Sequence, residues 1–296
     1  MRAEIAFTSE GIACRGWLYL PGGGARGSRP PVVVMAHGFA AVKEMGLDRF
    51  AEAFMAAGLA SLVFDYRGLG ASDGEPRQDV DPQAQVADYR NAISFVRRRP
   101  EIDPERIGVW GTSYSGGHAL MVAALDRRVR AAVAQVALID GQGSLLRLGG
   151  EAGLANLAQV LLSERERLYD GGTPQTIPVV ADAGGLAALA SPDAVAWFRA
   201  MAPRAPAWRN EALERLLEYA PGRWIDRIAP TPLLLLVAEH DTLCPAGIAR
   251  EAFARAGEPK HLCALPVGHF DLYEDPHFAV AAREATAWFT THLAGS

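Results

Sequence analysis

The chemistry of this chain starts at one serine. The run Gly111-Thr112-Ser113-Tyr114-Ser115-Gly116-Gly117 follows the apolar stretch Ile107-Gly108-Val109-Trp110 and leads into a helical pattern. A strand that turns sharply into a helix holds a hydroxyl clear of its own backbone. It also aims helix N-terminal amides at the charge that the hydroxyl creates. Small residues on either side permit the strained backbone and its close approach to neighbours. Ser113 is the candidate nucleophile. The pattern G-x-S-x-G would carry glycine at position 115, where this chain has Ser115, small enough to keep the turn. Ser115 is a rival nucleophile, with Gly117 two residues on. The apolar run ends just before Gly111, however, which puts Ser113 at the turn and Ser115 in the first helical turn. The bland alternative is a Gly/Ser-rich turn without chemistry.

A serine hydroxyl is a weak nucleophile at neutral pH. It needs a base within hydrogen-bond reach, and the base needs a carboxylate to orient it. In a parallel sheet both are expected after the serine, at the C-terminal ends of later strands. The apolar run Leu233 to Ala238 is followed by Glu239-His240-Asp241-Thr242-Leu243-Cys244, and the run Leu262 to Val267 by Gly268-His269-Phe270-Asp271. Asp241 and His269 fall where the orienter and the base are needed. Taken singly, each has a plainer reading: a loop Asp is commonly a turn or cap residue, and a loop His is commonly surface. Glu239 and Asp271 compete as carboxylates, and Asp271 could instead cap the final helix. His240 and His277 compete as bases, although His277 lies in or beside that helix. The conjunction of three positions, each after the right strand and in the right order, favours Ser113, Asp241 and His269.

The donors for a developing oxyanion are expected from the loop after the first buried parallel strand and from the amide after the nucleophile. These are the backbone N–H groups of Phe39, in His37-Gly38-Phe39, and of Tyr114. His37 reads as a structural residue that hydrogen-bonds within its loop. No cluster offers three metal ligands, so neither metal nor cofactor is expected.

Placing these residues requires a layered α/β chain. Ile5 to Phe7 and Cys14 to Leu20 read as two antiparallel strands around Ser9-Glu10-Gly11. Val32 to Ala36 is a continuous apolar run, as a parallel strand buried on both faces requires, and Ser61 to Tyr66 is the next buried strand. Helical spacing covers about Leu47 to Ala57 and Gln83 to Arg99, and Val129 to Leu138 is a further strand. Strand and helix in alternation imply parallel pairing with helices on both faces. The rhythm breaks over 140–226, where Leu145 to Leu168 and Glu211 to Tyr219 read as helices and no buried strand appears. A last helix covers Phe278 to Leu293. The expected organisation is a core of 1–139 and 227–296 with a helical insertion at 140–226.

Composition bounds the function. The chain has 296 residues, half of them hydrophobic, with a formal net charge of −5, enough to bury a substantial core. Mild acidity argues against nucleic acid as a partner. The longest basic run, Arg97-Arg98-Arg99, suits a helix C-terminus. Three cysteines without CxxC spacing indicate neither a disulfide framework nor a zinc site. The polar, alternating start lacks the apolar segment of a signal peptide, and no apolar run approaches a membrane span. The expectation is a soluble cytoplasmic protein, and the richness in Ala, Arg, Gly and Pro suggests a bacterial source.

Four motifs in order, HGF, WGTSYSGGH, VAEHDTLCP and LPVGHFDLYE, resemble the α/β-hydrolase superfamily over nearly the whole chain. They look most like the branch of dienelactone hydrolases, Xaa-Pro-peptidase-like hydrolases and polyketide thiohydrolases. The resemblance implies a mostly parallel eight-stranded sheet and a lid inserted after the sixth strand. Oligomeric state is not readable from the residues, and the resemblance alone suggests a homodimer.

The expected activity is acyl transfer to water through an acyl-enzyme on Ser113, cleaving an ester, thioester or lactone. An acyltransferase or an Xaa-Pro-type peptidase would use the same three residues. A binding protein of this fold would be expected to have lost one of them. Leu145, Leu146, Leu148, Leu154, Leu157, Leu161, Leu162, Trp197, Phe198, Met201, Trp208 and Trp224 give the insertion much apolar surface. Most of it is expected to pack the insertion down, and the rest to favour a small-molecule substrate with an apolar or aromatic acyl group.

Overall fold

A computed structural model describes residues 1–22, 29–182, 185, 187–212 and 218–294. Its centre is an eight-stranded sheet: β1 (Arg2–Ser9), β2 (Ile12–Tyr19), β3 (Val32–Ala36), β4 (Ala60–Phe64), β5 (Ile107–Thr112), β6 (Val129–Gln135), β7 (Leu233–Ala238) and β8 (Lys260–Leu265). The spatial order is β1-β2-β4-β3-β5-β6-β7-β8. β1 and β2 run antiparallel to their neighbours, and all other pairs are parallel.

The continuous apolar runs are explained by burial on both faces. Along β3, Val33 and Met35 point into one core with Trp110, Leu234 and Leu236, while Val32 and Val34 point into the other with Val109, Leu233 and Leu235. Successive strand residues face opposite ways, so a strand covered on both sides has no polar position to spare. The first core is closed by α1 (Leu47–Ala56) and α7 (His277–His292), through Phe50, Phe54, Ala285 and Phe289. The second is closed by α2 (Pro82–Arg97), α3 (Tyr114–Leu125) and α6 (Ala246–Arg255), through Tyr89, Ile93, Leu120 and Ala252. Each such aliphatic or aromatic side chain contributes about 1.5–3 kcal/mol when fully buried. Local signals agree. Asp81 caps α2 by accepting from the Gln83 and Ala84 amides, with Pro82 at the first helical position.

Several boundaries differ from the sequence expectation. β5 runs on through Gly111 and Thr112, so Ser113 is the first residue after it. β8 ends at Leu265 and not at Val267, because Pro266 has no N–H to continue the ladder. β6 stops at Gln135, where Val136 takes a positive φ of 38°. Between β6 and β7 lie α4 (Gly141–Tyr169), which covers the helix expected over Leu145 to Leu168 and is kinked at Gly150, and α5 (Pro192–Met201), which was not expected. Ala212 pairs with Ile177 in an isolated antiparallel bridge, and residues 213–217 of the helix expected over Glu211 to Tyr219 lie outside the described residues. Among the described residues no helix is long and apolar enough to cross a membrane.

Because β3 lies between β4 and β5, the chain reverses its direction of travel across the sheet there. The carboxyl ends of β3 and β5 therefore open a crevice, and the residues singled out above converge on it.

Candidate active site

Ser113 occupies a conformation that few non-glycine residues adopt, with φ 57° and ψ −121°. Such strain persists only where the surroundings over-determine it. Here the Ser113 amide donates to the Gln135 carbonyl at 2.9 Å, and the Ser113 carbonyl accepts from the amides of Gly116 and Leu138, each at 2.9 Å. Tyr114 is the first residue of α3, so its N–H lies at the positive end of that helix.

Asp241 follows β7 by three residues. Its Oδ1 accepts the Leu243 amide at 2.8 Å and the Cys244 amide at 2.6 Å, which frees Oδ2 to face the sheet end. His269 follows β8 by four residues, and its side chain is 1% exposed. The ring lies between the other two residues: Nδ1 is 2.8 Å from Asp241 Oδ2, and Nε2 is 3.1 Å from Ser113 Oγ. The hydrogen-bond network requires Nδ1–H to donate to Asp241 and the Ser113 hydroxyl to donate to Nε2. Ser113, Asp241 and His269 are thus brought together.

The rivals are placed elsewhere. Ser115 Oγ is buried, accepting from the Tyr66 hydroxyl at 2.9 Å and donating to the Tyr89 hydroxyl at 3.4 Å. Tyr89 in turn donates to the Trp110 carbonyl at 2.5 Å. The serine that stands where glycine is usual therefore ties α3 to the loop after β4 and to α2, and through Tyr89 to β5. Glu239 is exposed and paired with Arg250, and His240 is exposed. Asp271 does not cap α7, which begins behind Pro276. Its Oδ2 accepts the Gly268 amide at 2.7 Å and shapes the loop that carries His269. His277 is the first residue of α7.

The loop after β3 approaches the nucleophile closely. A methyl group on Gly38 would lie 3.0 Å from Ser113 Cβ and 3.4 Å from Ser113 Oγ. His37 Nδ1–H donates to the Gly38 carbonyl at 3.0 Å, as the structural reading expected. Burial pulls its pKa down and keeps the ring neutral. Lys43 fixes the far end of this loop: its amide and its Nζ each donate to the fully buried Asp65 carboxylate at 2.7 Å. Trp208 Nε1 donates to the Ala40 carbonyl at 3.0 Å, which ties the inserted segment to the same loop.

A cavity of about 20 Å³ adjoins Ser113, walled by Phe39, Leu189, Trp197, Phe198, Phe270 and Tyr273. That is room for roughly one water. Trp197 stacks on Phe270 with centroids 5.0 Å apart, and Phe198 stacks on Trp208 at 5.6 Å. Of the apolar residues noted in the insertion, Trp197 and Phe198 reach the cavity. Leu146, Leu148 and Leu162 are exposed, and Trp224 packs on the opposite core. Phe270 and Tyr273 were missed, although both sit within four residues of His269 in a run of aromatic residues. The Tyr273 and Thr112 hydroxyls hydrogen-bond beside Ser113.

Cys244 is a third residue that sequence reasoning passed over. Its thiol is buried beside the His269 ring, and burial together with the Asp241 charge holds it well above the usual thiol range. The expectation that no cluster offers three metal ligands needs correction: Asp241, Cys244 and His269 each present one donor atom, and these lie within 4.8 Å of one another. The spacing D-x-x-C was the available signal.

Comparison with known proteins agrees with this architecture. The profile of the X-Pro dipeptidyl-peptidase (S15) family matches residues 11–271. The quorum-quenching protein AidA of Acinetobacter baumannii is 33% identical over 287 residues, 95% of this chain and 92% of its own. The thiohydrolase aneE of Aspergillus aculeatus is 34% identical over 276 residues, 88% of this chain and 83% of its own. The crystal structure of the α/β-hydrolase GrgF from a Penicillium species superimposes with a TM-score of 0.80 at 27% identity, covering 100% of both chains. With the sheet order, the strand-end loops and these relatives in agreement, the chain belongs to the X-Pro dipeptidyl-peptidase (S15) family and is an α/β-hydrolase enzyme.

Proposed function

We propose that the protein is a serine hydrolase that cleaves a carboxylic ester, thioester or lactone through an acyl-enzyme on Ser113. His269 Nε2 takes the hydroxyl proton as Ser113 Oγ attacks the carbonyl carbon. Asp241 holds the ring with Nε2 facing the serine and stabilises the imidazolium that forms. The backbone N–H groups of Phe39 and Tyr114 receive the oxyanion, each contributing roughly 3–4 kcal/mol to the transition state. His269 then protonates the leaving alcohol or thiol, and water repeats the sequence on the acyl-enzyme.

The observation that carries this reading is the continuous hydrogen-bonded chain from Ser113 Oγ through His269 to Asp241 Oδ2. The aromatic wall of the cavity supports an apolar or aromatic acyl group. Because that cavity holds about one water, a longer acyl chain requires the wall carrying Trp197 and Phe198 to move. We therefore assign residues 140–226 as a lid over the core of 1–139 and 227–296. The thiohydrolase among the relatives fits the thioester branch of this proposal.

Hydrolysis of p-nitrophenyl esters and acyl thioesters by wild type and Ser113→Ala tests the reading. Loss of turnover by about 10³-fold or more in the variant is the expected result. Full retention would overturn it. Assaying with an added alcohol or amine distinguishes transfer to a second acceptor from hydrolysis by its product.

A further inference from the structure

The proposed reaction leaves Cys244 unused, although its thiol lies beside His269 and Asp241. Two features bring it there. Asp241 Oδ1 accepts the Cys244 amide at 2.6 Å, folding the D-x-x-C turn back on itself. The thiol then lies within 4.8 Å of a His269 ring nitrogen, in a pocket that leaves Cys244 8% exposed. A sulfur, an imidazole nitrogen and a carboxylate oxygen, on residues that come from two different loops, thus lie within 4.8 Å of one another.

We propose that Asp241, Cys244 and His269 form a binding site for a soft divalent cation, Zn²⁺ or Cd²⁺, and that its occupancy silences the nucleophile. The donor set is mixed S, N and O. Zn²⁺ and Cd²⁺ favour such a set, whereas Mg²⁺ and Ca²⁺ call for six or more oxygens. Donor atoms on one tetrahedral zinc stand about 3.6 Å apart, given bonds of about 2.0–2.3 Å. Drawing the three side chains together by about 1 Å from their present limit therefore closes the site. On binding, the Cys244 thiol releases its proton to solvent and the thiolate coordinates the cation, with no change of oxidation state. Coordination through His269 Nε2 occupies the lone pair that faces Ser113. Coordination through Nδ1 breaks the bond to Asp241. Either mode leaves Ser113 without a proton acceptor, a consequence that rests on the reading of His269 as the base. The binding itself does not depend on that reading.

The two are separated by measuring binding and activity on the same samples. Titration of chelator-stripped protein with Cd²⁺ is followed through the ultraviolet thiolate–cadmium charge-transfer absorption. The expected result is saturation at one ion per chain in wild type and in Ser113→Ala, with loss in Cys244→Ala. Zn²⁺ is expected to inhibit p-nitrophenyl acetate hydrolysis reversibly, with rescue by EDTA. Half-inhibition, read relative to each variant's own rate, should need at least tenfold more Zn²⁺ in Cys244→Ala. Cys244→Ser, the closer isostere, should show the same shift should the alanine variant fail to fold. No charge-transfer band in wild type, or one unchanged in the Cys244 variants, would overturn the metal site. Activity retained in Ser113→Ala would instead sink the proposed function and leave the Cd²⁺ result standing.

Discussion

A methyl group on Gly111 would lie 2.0 Å from the carbonyl oxygen of Ser115. The end of β5 and the first turn of α3 are thus in backbone contact, and the strained turn at Ser113 is compressed between them. No side-chain rearrangement relieves an overlap with a carbonyl, so Gly111→Ala should destabilise the protein by roughly 3 kcal/mol or more. Gly149→Ala is the control, because a methyl group there meets nothing within 4 Å. Urea unfolding of both variants checks the contrast. Equal midpoints would mean that the turn is not packed as described.

Ser115 invites the opposite substitution. Ser115→Gly restores the commoner motif yet removes the acceptor of the Tyr66 hydroxyl and a partner of Tyr89, both fully buried. Leaving a buried hydroxyl unsatisfied costs about 1–3 kcal/mol. The expected outcome is a loss of stability in that range with ester hydrolysis retained, because Ser115 Oγ points away from His269. A variant as stable as wild type but inactive would return Ser115 to candidacy as the nucleophile.

How far the residues alone reveal this arrangement depends on distance along the chain. The convergence of Ser113, Asp241 and His269 was readable because each follows an apolar run within a few residues, and a parallel sheet aligns the C-terminal ends of such runs. The sheet faces were readable for the same reason, since strands without polar positions must be covered twice. The cavity wall was not readable. Its side chains come from α5 and from the loops after β3 and β8, and no periodicity in one segment reports contact with another. The leucines of α4 misled in the same way: Leu146, Leu148 and Leu162 add apolar surface to the insertion yet are exposed. Cys244 escaped notice because the Asx-type turn of Asp241, and not strand order, aims its thiol.

Acid should weaken the fold through His118. Its Nδ1 accepts from the Tyr219 hydroxyl at 2.5 Å, and Nε2–H donates to Gln85 Oε1 at 2.8 Å, a pairing that requires the neutral ring. Burial, with a smaller contribution from His37, pulls its pKa from 6.5 to about 3. The unfolded chain takes up this proton near pH 6.5, where the folded chain cannot. The stabilisation is therefore complete above that pH and is lost as the pH falls toward 3. His118→Gln removes the titrating ring, so its loss of stability between pH 7 and pH 5 should be smaller by about 2 kcal/mol. Urea unfolding at the two pH values decides this, and identical pH dependence would contradict it.

Trp197 should set the length of acyl chain accepted. Its indole closes the cavity against Phe270 and Phe198. Trp197→Ala opens space for several methylenes, each worth about 1–3 kcal/mol of discrimination in a fitted pocket. The ratio of kcat/KM for p-nitrophenyl octanoate over butyrate should rise about tenfold or more. An unchanged ratio would place the acyl group elsewhere.

The central claim is that one hydroxyl, held against His269, carries the acyl group. Reaction with a fluorophosphonate, followed by digestion and mass mapping of the adduct, tests it most directly. A single adduct on Ser113 is expected, absent in Ser113→Ala and strongly slowed in His269→Ala. An adduct on Ser115 or Cys244, or labelling that persists in Ser113→Ala, would contradict it.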